Sequence, residues 1–231
     1  MDQVLTAFIL KVANSPLYAL KKDVKTVSFA VNLLGYNQAK SLLMAYLTKS
    51  MYQKKGKKLI QSVLWKHAIA SAIFGRNIAK YLKNVNMEEA FIACLLHDIG
   101  KSVLFEKKTA EFENAVELIF NEKVSSYDAE LSTMEYTHVE VGYLLLRNWK
   151  IGTEIVESIV FHHNFQEYYG KSKTVAIVSI ANKLSHIYGY SFIETPQEIF
   201  ELKLLNISES KIAEIVTESK PEIDGYIEMA Q

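Results

Sequence analysis

Only three prolines and nine glycines punctuate the 231 residues, and they fall between segments whose apolar residues recur at helical spacing. Long helices with short connections are the expected result of that pattern. Strand-like alternation bounded by turn residues is essentially absent. Hydrophobic residues make up 49% of the chain, enough for a sizeable core. The fold class expected is therefore all-α, a multi-helix bundle with a smaller N-terminal helical lobe.

Charge narrows the range of functions. The 26 basic and 26 acidic residues cancel, which leaves no general attraction to nucleic acid or to an anionic membrane. The lone cysteine, Cys94, lies in an apolar run over 90–96, which fits a reducing compartment and no disulfide framework. That run is far short of the roughly 20 residues needed to span a bilayer. Asp2 stands where a secretory signal would carry a basic region, so no signal peptide is expected. The expectation is a soluble, cytoplasmic protein with no membrane partner.

Along the chain, Asp2 caps a first helix with Leu5, Phe8, Ile9 and Val12 on one face, stopped by Asn14-Ser15-Pro16. A second helix is expected over 24–34, ended by Gly35, and a third from a cap at Asn37 through Leu47. Lys49, Lys54, Lys55, Lys57 and Lys58 surround Gly56 and read as an exposed linker. It would divide a lobe over 1–58 from one over 59–190, with a helical extension over 191–231. In the second lobe, helices are expected over 63–82, from Asn86 to Gly100, over 112–120 and over 127–134. Thr137-His138-Val139-Glu140 is a capping box that would start a helix at His138 and carry it to Trp149. Thr153 caps a helix ending at His162-His163-Asn164, and a helix over 176–187 carries Asn182. Thr195-Pro196-Gln197-Glu198 is a second capping box, and Ser208 caps a last helix closed by Pro221. Trp65 and Trp149 are expected in the core or at the lobe interface. The helix–turn–helix over 26–47 carries only Lys40 as a basic residue on its second helix, too little for a recognition helix, so no nucleic-acid partner is expected.

The six histidines are His67, His97, His138, His162, His163 and His186. All but His186 fall at or near the ends of predicted helices of the second lobe. A single histidine on a helix is ordinarily a core or surface residue. Here His97 is followed by Asp98, and His162 by His163, the way helical bundles converge metal ligands. Imidazole with carboxylate suits iron, zinc, manganese or nickel. Nothing in the sequence links His186 to the others.

His97-Asp98-Ile99-Gly100-Lys101, preceded by Ala93-Cys94-Leu95-Leu96, resembles the signature of the HD superfamily of metal-dependent phosphohydrolases. The order His67, His97-Asp98, His138, His162-His163 is similar to that of its HD-GYP and HDOD branches. The first lobe favours HDOD. The stretch Ile9-Leu10-Lys11-Val12-Ala13-Asn14-Ser15-Pro16 resembles the HDOD segment with an Ala-Asn-Ser step, and the stretch from Thr26 to Leu34-Gly35 resembles the HDOD helix ending in Leu-Gly. The family carries further helices ahead of this point, so the chain is expected to start late. The resemblance implies an HD-superfamily helical bundle. It also implies that His67, His97, Asp98, His138, His162 and His163 hold one or two divalent metals, with Asp98 bridging and Lys101 facing a substrate phosphate in active relatives. Two departures matter. The family's last metal-ligating Asp aligns with Asn182 in Ala181-Asn182-Lys183-Leu184, and Asn offers only a neutral carbonyl oxygen. No Gly-Tyr-Pro motif occurs after His163 in Asn164-Phe165-Gln166-Glu167-Tyr168-Tyr169-Gly170, against a cyclic di-GMP phosphodiesterase. Two functions stay open. One is a non-catalytic bacterial signalling module that acts through a protein partner, a homodimer being one form of assembly. The other is a metal-dependent phosphohydrolase acting on a nucleotide or cyclic dinucleotide, with Asp98 and Lys101 catalytic.

Overall fold

The computed structural model describes residues 6, 9–10, 12–14, 24–52, 58–168, 172–192, 199 and 201–228. Among them every regular element is helical, as the scarcity of breakers requires. In chain order these are α1 (Val27–Leu34), α2 (Tyr36–Tyr52), α3 (Lys58–Tyr81), α4 (Met87–Leu96), α5 (Ile99–Lys107), α6 (Thr109–Glu122), α7 (Ser126–Met134), α8 (His138–Asn148), α9 (Thr153–Phe161), α10 (Lys173–Ile187), α11 (Glu201–Leu205) and α12 (Glu209–Glu228). The expected Asp2 cap, the Ser15-Pro16 stop, the lysines at 54, 55 and 57 and the 195–198 capping box lie outside the described residues.

Capping chemistry sets most boundaries. The Thr26 side chain accepts from the Phe29 N–H, so α1 starts at Val27 and not at Val24. Val24 is instead clipped to Asn14, whose amide donates to its carbonyl at 2.9 Å and accepts from its N–H at 2.6 Å. Gly35, at a φ of 81°, turns the chain straight into α2. Asn37 therefore lies inside α2 and caps nothing. Asn86 caps α4 as expected, accepting from the N–H groups of Glu88 and Glu89.

The chain then departs from its expected course. Instead of running on to Gly100, α4 stops at Leu96, and His97 and Asp98 form a turn into α5, a helix the sequence pattern did not announce. Gly100 sits in the first turn of α5 because nothing larger fits: a Cβ there would collide with the carbonyl oxygen of His138. That contact brings the start of α8 against the start of α5.

Pro221 does not close the last helix. It lies inside α12, which continues to Glu228. An interior proline costs about 3 kcal/mol. The last turns of α12 offset that cost: Ile223 and Tyr226 are fully buried, and Glu222 ion-pairs with Arg76 of α3. The Arg76 guanidinium also lies over the Phe91 ring.

A main core cluster runs from Val12 to Tyr226 and includes the buried faces of α3, α4, α10 and α12. Trp65 is buried in it as expected, whereas Trp149, at the end of α8, is 41% exposed. No described helix is long and apolar enough to cross a membrane.

Gly100→Ala is expected to lower stability by roughly 1–3 kcal/mol or more, because the clash is with backbone. Gly152→Ala, where an added Cβ meets nothing within 4 Å, serves as the control. Urea denaturation of the two variants checks this.

Candidate metal centre

Helix ends bring the histidines together. His97 closes α4 and His162 closes α9, each just past the last helical residue. His138 is the first residue of α8, set there by the predicted Thr137–Glu140 capping box. Asp98 stands at the N-cap position of α5, yet its side chain makes no cap and turns inward. His67 reaches in from α3. Apart from half-buried His163, these side chains are buried.

Their donor atoms are evenly spaced. The Nε2 atoms of His67 and His97 are 3.1 Å apart. His138 Nε2 lies 3.1 Å from His163 Nε2 and 3.4 Å from His162 Nε2. Asp98 Oδ2 is 3.3 Å from His67 Nε2 and 3.5 Å from His97 Nε2, while Oδ1 is 3.1 Å from His138 Nε2 and 3.5 Å from His162 Nε2. Two groups result, His67-His97-Asp98 and Asp98-His138-His162-His163, sharing Asp98.

The other nitrogen of three of these rings is committed. His97 Nδ1 is 2.6 Å from the Cys94 carbonyl, His162 Nδ1 is 2.7 Å from the Ile159 carbonyl, and His138 Nδ1 is 2.6 Å from the Glu130 carboxylate. With Nδ1–H donating to these acceptors, the Nε2 lone pairs of His138 and His162 face one another at 3.4 Å, and such lone pairs repel unless a positive charge sits between them. Tetrahedral donors about 2.0–2.1 Å from a zinc ion stand about 3.3–3.4 Å apart, close to the observed spacing. Asp98 Oδ1 and Asn182 Oδ1 are buried with no hydrogen-bond partner among the described residues. The cluster is compatible with a divalent metal.

Charge states agree for four of the five rings. Burial lowers His67, His97, His162 and His163 below the ordinary imidazole value, His162 to about 3, so these rings are neutral, the form that binds metal. For Asp98, burial acts to raise the carboxyl, but Lys101 and His97 outweigh it and hold it well below the usual range. For His138, burial is outweighed by the Glu130 carboxylate, and the ring is raised.

Lys101 is buried. Its Nζ donates to Asp98 Oδ2 at 2.8 Å and to the Ser126 hydroxyl at 3.1 Å. Asn182 is buried on α10. Three features escaped sequence reasoning. Glu130 is a second buried carboxylate, on α7, and it holds both the ring and the backbone N–H of His138. His186 does not stand apart: its ring lies 4.8 Å from that of His67. Glu201 of α11 is fully buried, and its Oε1 accepts from Ser179 at 2.6 Å and from Lys183 at 2.7 Å. The Ser179 hydroxyl is also 3.1 Å from the His162 carbonyl.

Comparison with known proteins gives a consistent picture. A family model described as the HDOD domain matches residues 1–165. A crystal structure of an HDOD domain protein of unknown function from Geobacter sulfurreducens superposes with a TM-score of 0.87 at 25% identity, covering 100% of this chain and 83% of the other. A candidate phosphohydrolase from Shewanella amazonensis SB2B shares the fold with a TM-score of 0.76 at 23% identity, covering 99% and 82%. An uncharacterized protein of Treponema pallidum is 24% identical over 210 residues, which are 89% of this chain and 39% of that protein, so the chain spans about two fifths of this relative's length.

Glu130→Ala strips two buried donors of their acceptor and is expected to cost about 1–3 kcal/mol. Glu130→Gln, which keeps a carbonyl oxygen in place, should lose less. Urea unfolding of metal-stripped protein measures both.

Proposed function

Because the chain belongs to the HDOD family, we propose that it is a bacterial signalling module that acts through contacts with a protein partner, and that its His/Asp centre holds a divalent metal for structure or sensing without catalysing a reaction. One observation carries this reading. Asp98 is the one carboxylate among the facing ring nitrogens of the described residues, and Lys101 already neutralises its Oδ2. A hydrolytic two-metal centre holds several positive charges close together, and carboxylate ligands balance them. Here a lysine ammonium adds to the positive charge, and Asn182 offers no negative charge to offset it.

His67, His97 and Asp98 would hold an ion on one side, and Asp98, His138, His162 and His163 on the other, with Asn182 contributing at most a neutral oxygen. When bound, the ion supplies a cross-link between helix ends. The burial of all the donors but His163 supports a structural role. The contact surface has a candidate in α1 and α2, where Phe29, Leu33, Tyr36, Leu43 and Leu47 are exposed. Residues 24–52 contain Lys25, Lys40 and Lys49 and no Asp or Glu, which suits a partner with an apolar face edged by carboxylates.

A second reading, metal-dependent hydrolysis of a phosphodiester with Asp98 and Lys101 as catalytic residues, is favoured by the two ligand groups sharing one carboxylate. Elemental analysis of the purified chain, combined with assays on cyclic dinucleotides and nucleotides, separates the two. Bound iron, manganese, zinc or nickel without turnover is the expected result. Metal-dependent turnover abolished by His97→Ala would replace signalling with hydrolysis. Removing the metal is also expected to lower the thermal midpoint by several degrees, since ligand at about 100 times its Kd stabilises by about 2.7 kcal/mol.

A further inference from the structure

One cation is already built into the centre. Lys101 Nζ donates to Asp98 Oδ2 at 2.8 Å and to the Ser126 hydroxyl at 3.1 Å, and all three residues are buried. Asp98 and Lys101 flank the first turn of α5, and Ser126 opens α7, so two helices hold the ammonium in place. It cannot leave Oδ2 without stranding a charge in the interior, which is strongly unfavourable.

The two donor groups stand differently toward this charge. The first, His67-His97-Asp98, has three donors. Its nearest carboxylate oxygen is Oδ2, 3.3 Å from His67 Nε2 and 3.5 Å from His97 Nε2, and that is the oxygen Lys101 holds. An ion there would share one oxygen with an ammonium and be repelled by it. The Nδ1 of His67 is also buried with no hydrogen-bond partner among the described residues, so no acceptor sets the tautomer of that ring.

The second group, Asp98-His138-His162-His163, has four donors, the number a tetrahedral ion takes. Its carboxylate oxygen is Oδ1, 3.1 Å from His138 Nε2 and 3.5 Å from His162 Nε2, and Lys101 is on the other oxygen. Two of its rings have acceptors on Nδ1: the Ile159 carbonyl at 2.7 Å from His162, and the Glu130 carboxylate at 2.6 Å from His138. Glu130 lies one turn after Ser126 on the same face of α7. One helix therefore seats the ammonium on Oδ2 and orients a donor beside Oδ1.

We infer that the centre takes one divalent ion, held by Asp98 Oδ1 with His138, His162 and His163, and that the Lys101 ammonium on Oδ2 excludes a second. This inference rests on the reading of the cluster as a metal centre. Three imidazoles and one carboxylate favour zinc, nickel or cobalt over magnesium.

The test uses the full chain, stripped of metal and reloaded with zinc. Elemental analysis after removal of free zinc should give one ion per chain. Anomalous diffraction from crystals of the loaded protein should place it among His138, His162 and His163. Lys101→Met keeps the bulk of the side chain and removes its charge, and it should raise the content to two ions per chain. Lys101→Gln takes its place if the methionine variant does not fold. Two ions in the wild-type chain overturn the inference, as does a single ion between His67 and His97, and both results leave the metal centre standing. A folded Lys101 variant that still takes one ion also overturns it, because the ammonium would then not be what keeps the second ion out. A wild-type chain that takes up neither zinc nor cobalt overturns the metal reading itself.

Discussion

The Asp98 carboxylate touches Lys101 and the rings of His67 and His97 with one oxygen, and the rings of His138 and His162 with the other. Removing an ionised carboxylate from water costs several kcal/mol even after relaxation. The surrounding helices must return that energy as directed contacts. Lys101 of α5 does so directly, its Nζ 2.8 Å from Oδ2, while His67 of α3, His138 of α8 and His162 at the end of α9 surround the carboxylate with nitrogens that can bind a cation. The packing of these helices and the geometry of the centre are thus one problem with one solution.

Placement at helix ends makes that solution workable. A residue at a terminus can direct its side chain along the helix axis into a shared volume, whereas a mid-helix residue can only point sideways. The last carbonyls of α4 and α9 serve as acceptors for His97 and His162, fixing each ring with Nε2 inward. These C-terminal ends also carry partial negative charge, which favours a cation between them. Gly100 belongs to the same arrangement. Its missing Cβ lets the His138 backbone sit directly over the first turn of α5, and so sets the Asp98–His138 distance.

The all-helical class, the Asn86 and Gly35 caps and the start of α8 at His138 were legible because each rests on local chemistry that a few neighbouring residues specify. The convergence of His67, His97, Asp98, His138 and His162-His163 was legible from motif and order. The hidden features depend on contacts distant in the chain. The α4–α5 break at His97 answers to the backbone of α8, and no propensity within Ile99–Lys107 announces it. Pro221 passes for a terminator until α12 is seen buried against α3. Glu130 and Glu201 read as ordinary helix glutamates, and only the fold brings them to His138 and to Ser179. His186 belongs with them: its tie to His67 comes from the register of α10 on α3.

Glu201 extends this logic beyond the ligands. It lies in α11, past the residues that the HDOD model matches, yet its carboxylate holds Ser179 and Lys183 of α10, and Ser179 contacts the carbonyl of His162. A fully buried carboxylate at that place makes the C-terminal helices part of the scaffold of the centre. A shift of α11 must disturb either the Glu201 network or the end of α9, where two of the histidines sit. The same connection runs in reverse, since anything that draws His162 inward pulls on Ser179. The centre is largely buried and tied to its surroundings through Ser179 and Glu201. Those are the properties by which occupancy of an interior site can be felt at a surface, the physical requirement for a module that signals by binding a partner.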